Sequence, residues 1–535
     1  MKNSLIIILS TLLFSQTEPI ENLHENSPRV WTLTNAMIHT SPGNFIKGGS
    51  ISIRNGKIEA VGRYIKTPKD AFEINLNGAH VYAGFIESWL ETGLNKESLK
   101  STRKHWDSKV RPENRSVDNL DIKNKAIEEL RSLGFTTAHL APKHGIFRGQ
   151  SGIINLQDEP EPIKSSVAQI IDFKYREKGK RTYPRSLLGV IAHIRQTFYD
   201  SEWYLKAQEI YAAYPSENET LASNISLESL GMSRAVNKPF VFITTDETYS
   251  QRAINISSEF DLNPWILGSG YEYRRLDYFS KTKPFFILPI DFPSKPNVVK
   301  PMSDLQYSTA ELKHWDIAPD NLFYLNNAGH DFSITSHYMK KKSEFRKNLQ
   351  KVIDRGLSVD IILSALTTQP AEALGMQKSL GKIAPGYDAN LVVVDGEYFD
   401  PKSKIVSVWI EGKEHYIASK KTPTFLGTWS LKYSGSSYDL IIEDPLKTQS
   451  TEKQKEFYKA YLTVDKKSVE IFNLDIFESS ISFTIDGTKL GLKGTLSFSG
   501  KLTDNQIEGS VKNNVDEINA FQADRRKKDN QIERK

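Results

Sequence analysis

The sequence contains no cysteine in 535 residues. Disulfides, thiolate metal sites, a cysteine nucleophile and a lipid-anchored cysteine are therefore excluded for this chain. The absence of cysteine does not exclude export, because an oxidising compartment permits disulfides without requiring them.

A strong excess of charge of one sign is also lacking, since 70 basic and 65 acidic residues give a net charge of +5. The basic runs Lys340–Lys342 and Arg525–Lys528 are short and contain no aromatic residues. They indicate a solvated surface rather than a nucleic-acid site. A hydrophobic content of 39% and an aromatic content of 10% suffice for a packed core, which excludes a disordered or fibrous chain.

Long apolar runs are scarce as well. Lys2 precedes an apolar run from Leu5 to Phe14, which at about ten residues is too short to span a bilayer but has the length of a signal-peptide core. We therefore predict a signal peptide over residues 1–16 and a periplasmic or secreted protein with no membrane-spanning segment after cleavage. The alternative is a buried N-terminal helix.

The apolar pattern divides the rest of the chain. Residues 17–29 are polar and predict a tether, whereas short alternating runs begin at Trp31, and Asn55-Gly56 is typical of a type I′ hairpin. Over residues 84–375, short apolar strands alternate with amphipathic helices, one of them predicted at Asp118–Leu133. This alternation favours an α/β fold with a (β/α)₈ barrel over a doubly wound sheet, and no dinucleotide fingerprint or phosphate loop follows a strand.

Strand-like runs return after the barrel, at residues 389–394 and 406–410. The segment 424–525 is β-rich, with several strands separated by glycine or Asp-Gly turns, and it predicts a separate antiparallel β module. Residues 526–535 are mostly charged and are predicted to be disordered.

Three segments resemble the amidohydrolase superfamily, in particular its imidazolonepropionase-like metal-dependent hydrolases. They are Asn35-Ala36-Met37-Ile38-His39 with Ile53-Arg54-Asn55-Gly56-Lys57-Ile58-Glu59-Ala60-Val61-Gly62; Val81-Tyr82-Ala83-Gly84-Phe85-Ile86-Glu87; and residues 365–371 with 380–393. The resemblance extends over residues 31–417. It implies that residues 30–83 and 376–420 pair into one composite β-sandwich, with the barrel of residues 84–375 between them.

The resemblance also implies a site at the carboxyl mouth of the barrel, where histidines and an aspartate hold one or two divalent metals that activate water. A His-x-His pair is expected at the positions of Trp89 and Glu91, single histidines at Ile243 and Gly268, and the aspartate at His337. Apolar side chains cannot fill these roles. No metal cofactor is therefore expected, and an active form would use a divalent metal, zinc first.

Other residues are candidates for a pocket at the mouth. Arg148 is predicted in a Gly-rich loop, where it could bind an anion or simply order the loop. His193 lies in a helix-like stretch and is interpreted as a structural or surface residue. Glu91 and His337 are the one pair expected to meet at the mouth, where they could act as acid and base.

Three functions are compatible with these residues. The first is a protein that descends from hydrolases of non-peptide C–N bonds, has lost catalysis, and scaffolds or partners an intact amidohydrolase or a second copy of itself. In this arrangement the chain resembles the N-terminal half of large secreted bacterial amidohydrolases. The alternatives are an active hydrolase with an atypical site around Glu91 and His337, and a protein that binds a small ligand or peptide at the barrel mouth. Fold alone does not decide among them.

Overall fold

A computed structural model of the protein describes residues 30–93, 104–118, 120, 122–174, 183–297, 306–417, 425–443, 459–464, 467–477, 480–503, 506–513 and 518–526. The predicted signal peptide and tether, and all but one residue of the predicted tail, lie outside these ranges. The chain forms two compact units, which divide between Ala418 and Ser419. No helix in the described part of the chain has the length and apolarity that crossing a membrane requires.

The strands of the first unit are β1 (Val30–Ser41), β2 (Asn44–Arg54), β3 (Lys57–Gly62), β4 (Phe72–Asn75), β5 (His80–Ala83), β6 (Phe85–Thr92), β7 (Phe135–Pro142), β8 (Phe147–Gln150), β9 (Gly152–Asn155), β10 (Pro162–Lys164), β11 (Gln169–Asp172), β12 (Pro239–Ile243), β13 (Asn263–Leu267), β14 (Phe285–Pro289), β15 (Phe332–Thr335), β16 (Leu391–Val394), β17 (Ile405–Ile410) and β18 (Lys413–Tyr416). Its helices are α1 (Asn124–Arg131), α2 (Leu187–Ala213), α3 (Ile225–Ala235), α4 (Glu247–Glu259), α5 (Leu276–Phe279), α6 (Thr309–Ile317), α7 (Asn321–Asn327), α8 (Phe345–Asp354), α9 (Val359–Leu366) and α10 (Thr368–Ala373).

Strands from before and after the barrel share one sheet of eight strands, in the order β18-β17-β16-β5-β1-β2-β3, with β4 also paired to β1. Strand β5 connects the two sets, parallel to β1 and antiparallel to β16, where Val81 lies opposite Val393. Ile38, Val81 and Trp409 are fully buried in one apolar cluster that draws on both sets of strands. The composite arrangement predicted from the resemblance is therefore confirmed.

The predicted Asn55-Gly56 hairpin is confirmed between β2 and β3. Both residues have positive φ angles, 49° and 77°, as a type I′ turn requires. Gly56 also approaches another turn closely, because a Cβ atom on it would lie 2.8 Å from the carbonyl oxygen of Glu411.

The barrel follows, with parallel pairing of β6 to β7 and of β11 through β15 in order, and with β15 beside β6. Between β7 and β11 the wall is made of short antiparallel strands, since β9 pairs with β7 and β8 pairs with β11. The barrel prediction is confirmed, and among the described residues β8, β9 and β10 interrupt its regular parallel pairing. Four-residue strands that contain glycine carry too little alternation to be recognised in the sequence.

The barrel strands are buried on both faces, so that alternate residues enter different cores. Along β12, Phe240 and Phe242 belong to the outer cluster between strands and helices. Val241 and Ile243 belong to a second cluster, the inner cluster, which fills the barrel. Helix α10 contributes to the inner cluster through Ala371.

One helix differs from its prediction. The helix predicted at Asp118–Leu133 is observed only as α1, and Lys123 before it has an extended backbone. Leu120 and Ile122 still pack against the core, although they lie outside the helix. Their apolar spacing therefore reflects burial rather than helical geometry. Gly134 ends the turn after α1 with a φ of 97°, as the sequence indicates.

The second unit consists of β19 (Gly427–Tyr433), β20 (Ser436–Glu443), β21 (Lys459–Val464), β22 (Lys467–Glu470), β23 (Phe472–Phe477), β24 (Ser480–Asp486), β25 (Thr495–Thr503), β26 (Gln506–Lys512) and β27 (Ile518–Arg525). All pairings are antiparallel, in the order β22-β21-β20-β19-β27-β26-β25-β24-β23. Trp429, Val469 and Ile481, from the middle and from near both ends of the sheet, share one apolar cluster. The sheet therefore curls around its own core, and the predicted antiparallel β module is confirmed.

Candidate functional site at the carboxyl mouth of the barrel

Strand β6 places Trp89 inside the barrel. Its side chain is 1% exposed and belongs to the inner cluster together with Ile243 and Leu267. The indole ring makes edge contacts with the rings of His139 and His337, at centroid distances of 6.0 and 6.4 Å. Trp89 therefore occupies the carboxyl end of the barrel as a packing residue.

The other two positions expected to carry single histidines offer no ligand either. Ile243 ends β12 and is buried in the inner cluster. Gly268 follows β13, and a Cβ atom there would lie 2.9 Å from a carboxylate oxygen of Glu272. Glu272 is fully buried and accepts hydrogen bonds from the backbone N–H of Ser269 at 2.7 Å and from Asn321 Nδ2 at 2.8 Å. Its carboxylate is thus already satisfied within the protein.

These side chains do not fit the divalent metal that the fold suggests. Three of the five positions carry tryptophan, isoleucine and glycine, which supply no side-chain donor for a divalent ion. Within the residues that the structure describes, no group of three or more histidine, aspartate or glutamate side chains could hold a metal ion.

Glu91 is instead part of an ion-pair cluster. Arg148 donates from Nη1 to Glu91 at 2.7 Å and from Nη2 to Asp172 at 2.6 Å. Burial opposes the charged form of Glu91, but the positive charge and hydrogen bond of Arg148 prevail and lower its pKa. Arg148 lies in strand β8 and not in a Gly-rich loop as predicted. The rigid strand fixes the guanidinium between the two carboxylates.

His337 follows β15 and is partly buried. Burial lowers its pKa to about 4, although the carboxylate of Glu91 acts in the opposite direction. The imidazole is therefore neutral near pH 7. Glu91 lies close enough to interact electrostatically with His337, but its direct ion pair is with Arg148.

Glu87 on the first barrel strand is buried beside the candidate site, and the sequence did not identify it as a site residue. Its carboxylate is fully buried and accepts hydrogen bonds from the backbone N–H of Ser336 at 3.0 Å and from the hydroxyls of Thr335 and Ser336. Lys342 in turn donates from Nζ to Ser336 Oγ at 2.7 Å. Glu87 therefore joins the first and last strands of the barrel. The sequence signal that could have identified Glu87 is an acidic residue within the apolar run at the start of β6.

A pocket of about 90 Å³ lies beside the Arg148 cluster. Its lining consists of Glu91, Lys109, Lys143, His144, Gly145, Arg148, Asp172 and Lys174. The lysines come from three separate segments, so their convergence could not be predicted from the sequence. We call this cavity the Arg148 pocket.

His193 lies elsewhere. It is 3% exposed in helix α2, and its Nε2 atom is 2.9 Å from Asp107 Oδ2. It does not line the Arg148 pocket. This position agrees with the structural interpretation of His193.

A parallel barrel whose flanking strands form one composite sheet is the architecture of an amidohydrolase-type protein. The model of the Amidohydrolase family matches residues 317–415. Amidohydrolase tasK of Hapsidospora irregularis is 41% identical over 61 residues, which is 11% of this chain and only 6% of that protein. An amidohydrolase structure from Thermotoga maritima MSB8 aligns at 24% identity with a TM-score of 0.59, covering 72% of this chain and 99% of that one. The family model and the relative match only parts of this chain, and the solved structure shows that the chain shares the fold of that amidohydrolase.

Proposed function

We propose that this chain is a catalytically inactive amidohydrolase-fold protein, derived from hydrolases of non-peptide C–N bonds, that scaffolds or partners an active amidohydrolase. The observation that carries the proposal is the inner cluster. Trp89 and Ile243, at positions where the resemblance expects metal-binding histidines, are buried there against other apolar side chains. A divalent ion at this place would have to displace packed hydrocarbon and would find no ligand among the side chains of the inner cluster.

An active hydrolase around Glu91 and His337 is the less favoured alternative. A general base works best when its pKa lies near the operating pH. His337, with a pKa of about 4, is a weak base, and Glu91 is held by Arg148 as a carboxylate with a lowered pKa. Neither group is tuned to accept a proton from water at neutral pH.

Metal analysis of the purified full chain tests the proposal. We expect zinc, iron and manganese far below one equivalent per chain, and no hydrolysis of amide or lactam substrates. An intact amidohydrolase purified and assayed in the same way is the control. One equivalent of bound metal with hydrolysis would overturn the proposal. Hydrolysis that disappears in a Glu91→Ala/His337→Ala double variant would instead establish the alternative.

We further propose, from the N-terminal apolar run, that the chain acts in the periplasm or outside the cell, where its partner would also be found. Cross-linking of the native protein followed by identification of the linked chain tests this partnership. Recovery of an intact amidohydrolase supports the scaffold role, whereas recovery of only this chain would replace it with a homo-oligomer.

A further inference from the structure

We propose that the Arg148 pocket binds a small oxyanion, a carboxylate or phosphate group, at the mouth of the barrel. This ligand requires neither metal nor catalysis, so the inference goes beyond the proposed function and can fail independently of it.

The charges that line the pocket favour an anion. Lys109, Lys143, Lys174 and Arg148 supply four positive charges, against two negative charges from acidic side chains. The excess of two positive charges lines a small concave space, and a concave wall strengthens the field of the charges along it. An anion would offset this excess.

Arg148 is fixed at the wall of the pocket by its two ion pairs. Its side chain is 9% exposed, and Nη1 and Nη2 donate to Glu91 and Asp172. The buried Nε atom has no hydrogen-bond partner among the described residues. This nitrogen exposes no surface to the pocket, so a ligand there would interact with the charge of Arg148 rather than with this atom. The structure thus contains a preformed, nine-tenths buried cation at the wall of the pocket.

The backbone around the pocket is also fixed in advance. The carbonyl oxygen of Lys109 accepts from the N–H groups of Ile146 and Phe147, at 2.8 and 3.1 Å. Gly145 has a φ of 118°, and a Cβ atom there would lie 3.0 Å from that same carbonyl oxygen. Glycine therefore allows the Lys109 segment to close against the loop after β7. A wall held in this way loses little conformational entropy when a ligand binds.

The size of the pocket limits the ligand. About 90 Å³ is well above the roughly 15 Å³ that one water molecule needs, and well below the roughly 300 Å³ of a pocket for a drug-sized ligand. Its lining is dominated by charged groups. An aromatic or long aliphatic ligand is therefore excluded as the part that enters, whereas a carboxylate or phosphate group fits.

Calorimetric titration of the full chain with inorganic phosphate and with acetate, in chloride buffer at constant ionic strength, tests the proposal. We expect saturable binding of at least one of the two anions. A Lys143→Gln/Lys174→Gln variant should lose about tenfold or more in affinity, because hydrogen bonds to charged groups are removed. The control is Lys69→Gln/Lys313→Gln, which removes the same charge from exposed positions outside the pocket and should bind as the natural chain does.

The relative affinities identify the ligand class, since tighter acetate binding indicates a carboxylate and tighter phosphate binding a phosphate group. Circular dichroism checks that the variants fold. If the double variant does not fold, the single variants Lys143→Gln and Lys174→Gln replace it, each with a smaller expected loss of affinity. The proposal is overturned if neither anion binds saturably, or if pocket and control variants bind with equal affinity.

Discussion

At the scale of single residues, the guanidinium of Arg148 holds two carboxylates together at the mouth of the barrel. Two buried carboxylates face it, and among the described residues neither has a comparable cationic partner, since the Lys143 ammonium lies 4.0 Å from Glu91. The stability of this part of the barrel therefore depends on the arginine.

We expect Arg148→Met to lower the free energy of unfolding of the first unit by about 3–5 kcal/mol, because it leaves two buried carboxylates without their partner. The control is Arg195→Met, which breaks the exposed ion pair with Glu259 and should cost at most about 1 kcal/mol. Chemical denaturation of both variants measures the difference. Equal losses would mean that the Arg148 cluster contributes no more than a surface ion pair.

His139 should make stability depend on pH. It is fully buried, its two ring nitrogens face Ser88 O at 3.0 Å and Ser151 Oγ at 2.7 Å, and burial lowers its pKa to about 4. The unfolded chain binds a proton on this residue below pH 6.5, whereas the folded chain does so only near pH 4. Stability is therefore fully present above pH 6.5 and falls by about 3 kcal/mol between pH 6.5 and 4.

Unfolding curves measured between pH 4 and 7 test this expectation. His139→Gln should weaken the pH dependence by roughly that amount, because the titrating group is gone. Ser151→Ala removes a hydrogen-bond partner but keeps the imidazole, so it should reduce stability while preserving the pH dependence. An unchanged pH dependence in His139→Gln would contradict the assignment.

The sequence could predict which mouth residues are apolar but not which charged residues meet there. Trp89 and Glu91 follow a recognisable segment of the first barrel strand, so their positions were predictable. Lys109 and Lys174 belong to connecting segments, and no local pattern shows that they approach Arg148. Charges that converge through tertiary structure leave no periodic signal in the chain.

At the scale of elements, the closure of the barrel depends on Glu87 between β6 and β15. Glu87→Gln should destabilise the first unit by about 2 kcal/mol, because the amide NH₂ would face the donors of Thr335 and Ser336. The control is Glu161→Gln at an exposed position, expected within about 0.5 kcal/mol of the natural chain. Hydrogen exchange should show faster opening of β6 and β15 in the first variant, and equal exchange in both variants would argue against this role.

The hairpin between β2 and β3 offers a second test at this scale. Gly56→Ala should cost more than Gly386→Ala, although both glycines have similar φ angles of 77° and 87°. Both changes carry about 1–2 kcal/mol of left-handed backbone strain, but only the first also brings a Cβ atom within 2.8 Å of Glu411 O. Thermal unfolding of the two variants isolates the steric contribution, and equal shifts would contradict it.

Long strands and hairpin turns were predictable because the alternating pattern and the turn residues lie within short stretches of sequence. Strands β8 and β9 were not predictable, since each has only four residues and contains a glycine, Gly149 or Gly152. The prediction that a helix begins at Asp118 was wrong for the opposite reason. Leu120 and Ile122 are apolar because they reach the core, and apolar spacing alone does not distinguish such a segment from a helix.

At the scale of the whole molecule, the two compact units should unfold separately. We expect two calorimetric transitions, with Trp429→Ala lowering only the one that belongs to the second unit, by about 3–5 kcal/mol, because it empties a fully buried ring position. Trp409→Ala, equally buried in the first unit, is the matched control and should affect only the other transition. A single transition lowered by both variants would mean that the units unfold together.

The composite sheet has a consequence for the order of events during synthesis. Strand β5 pairs on one side with β1 and on the other with β16, and about 300 residues separate β5 from β16 along the chain. A ribosome working at about 5–20 residues per second needs roughly 15–60 s to produce that stretch. During this interval the free side of β5 offers an unpaired strand edge to any other chain nearby. The nascent protein is then most exposed to misassembly, and a chaperone that shields this edge would protect it until β16 emerges.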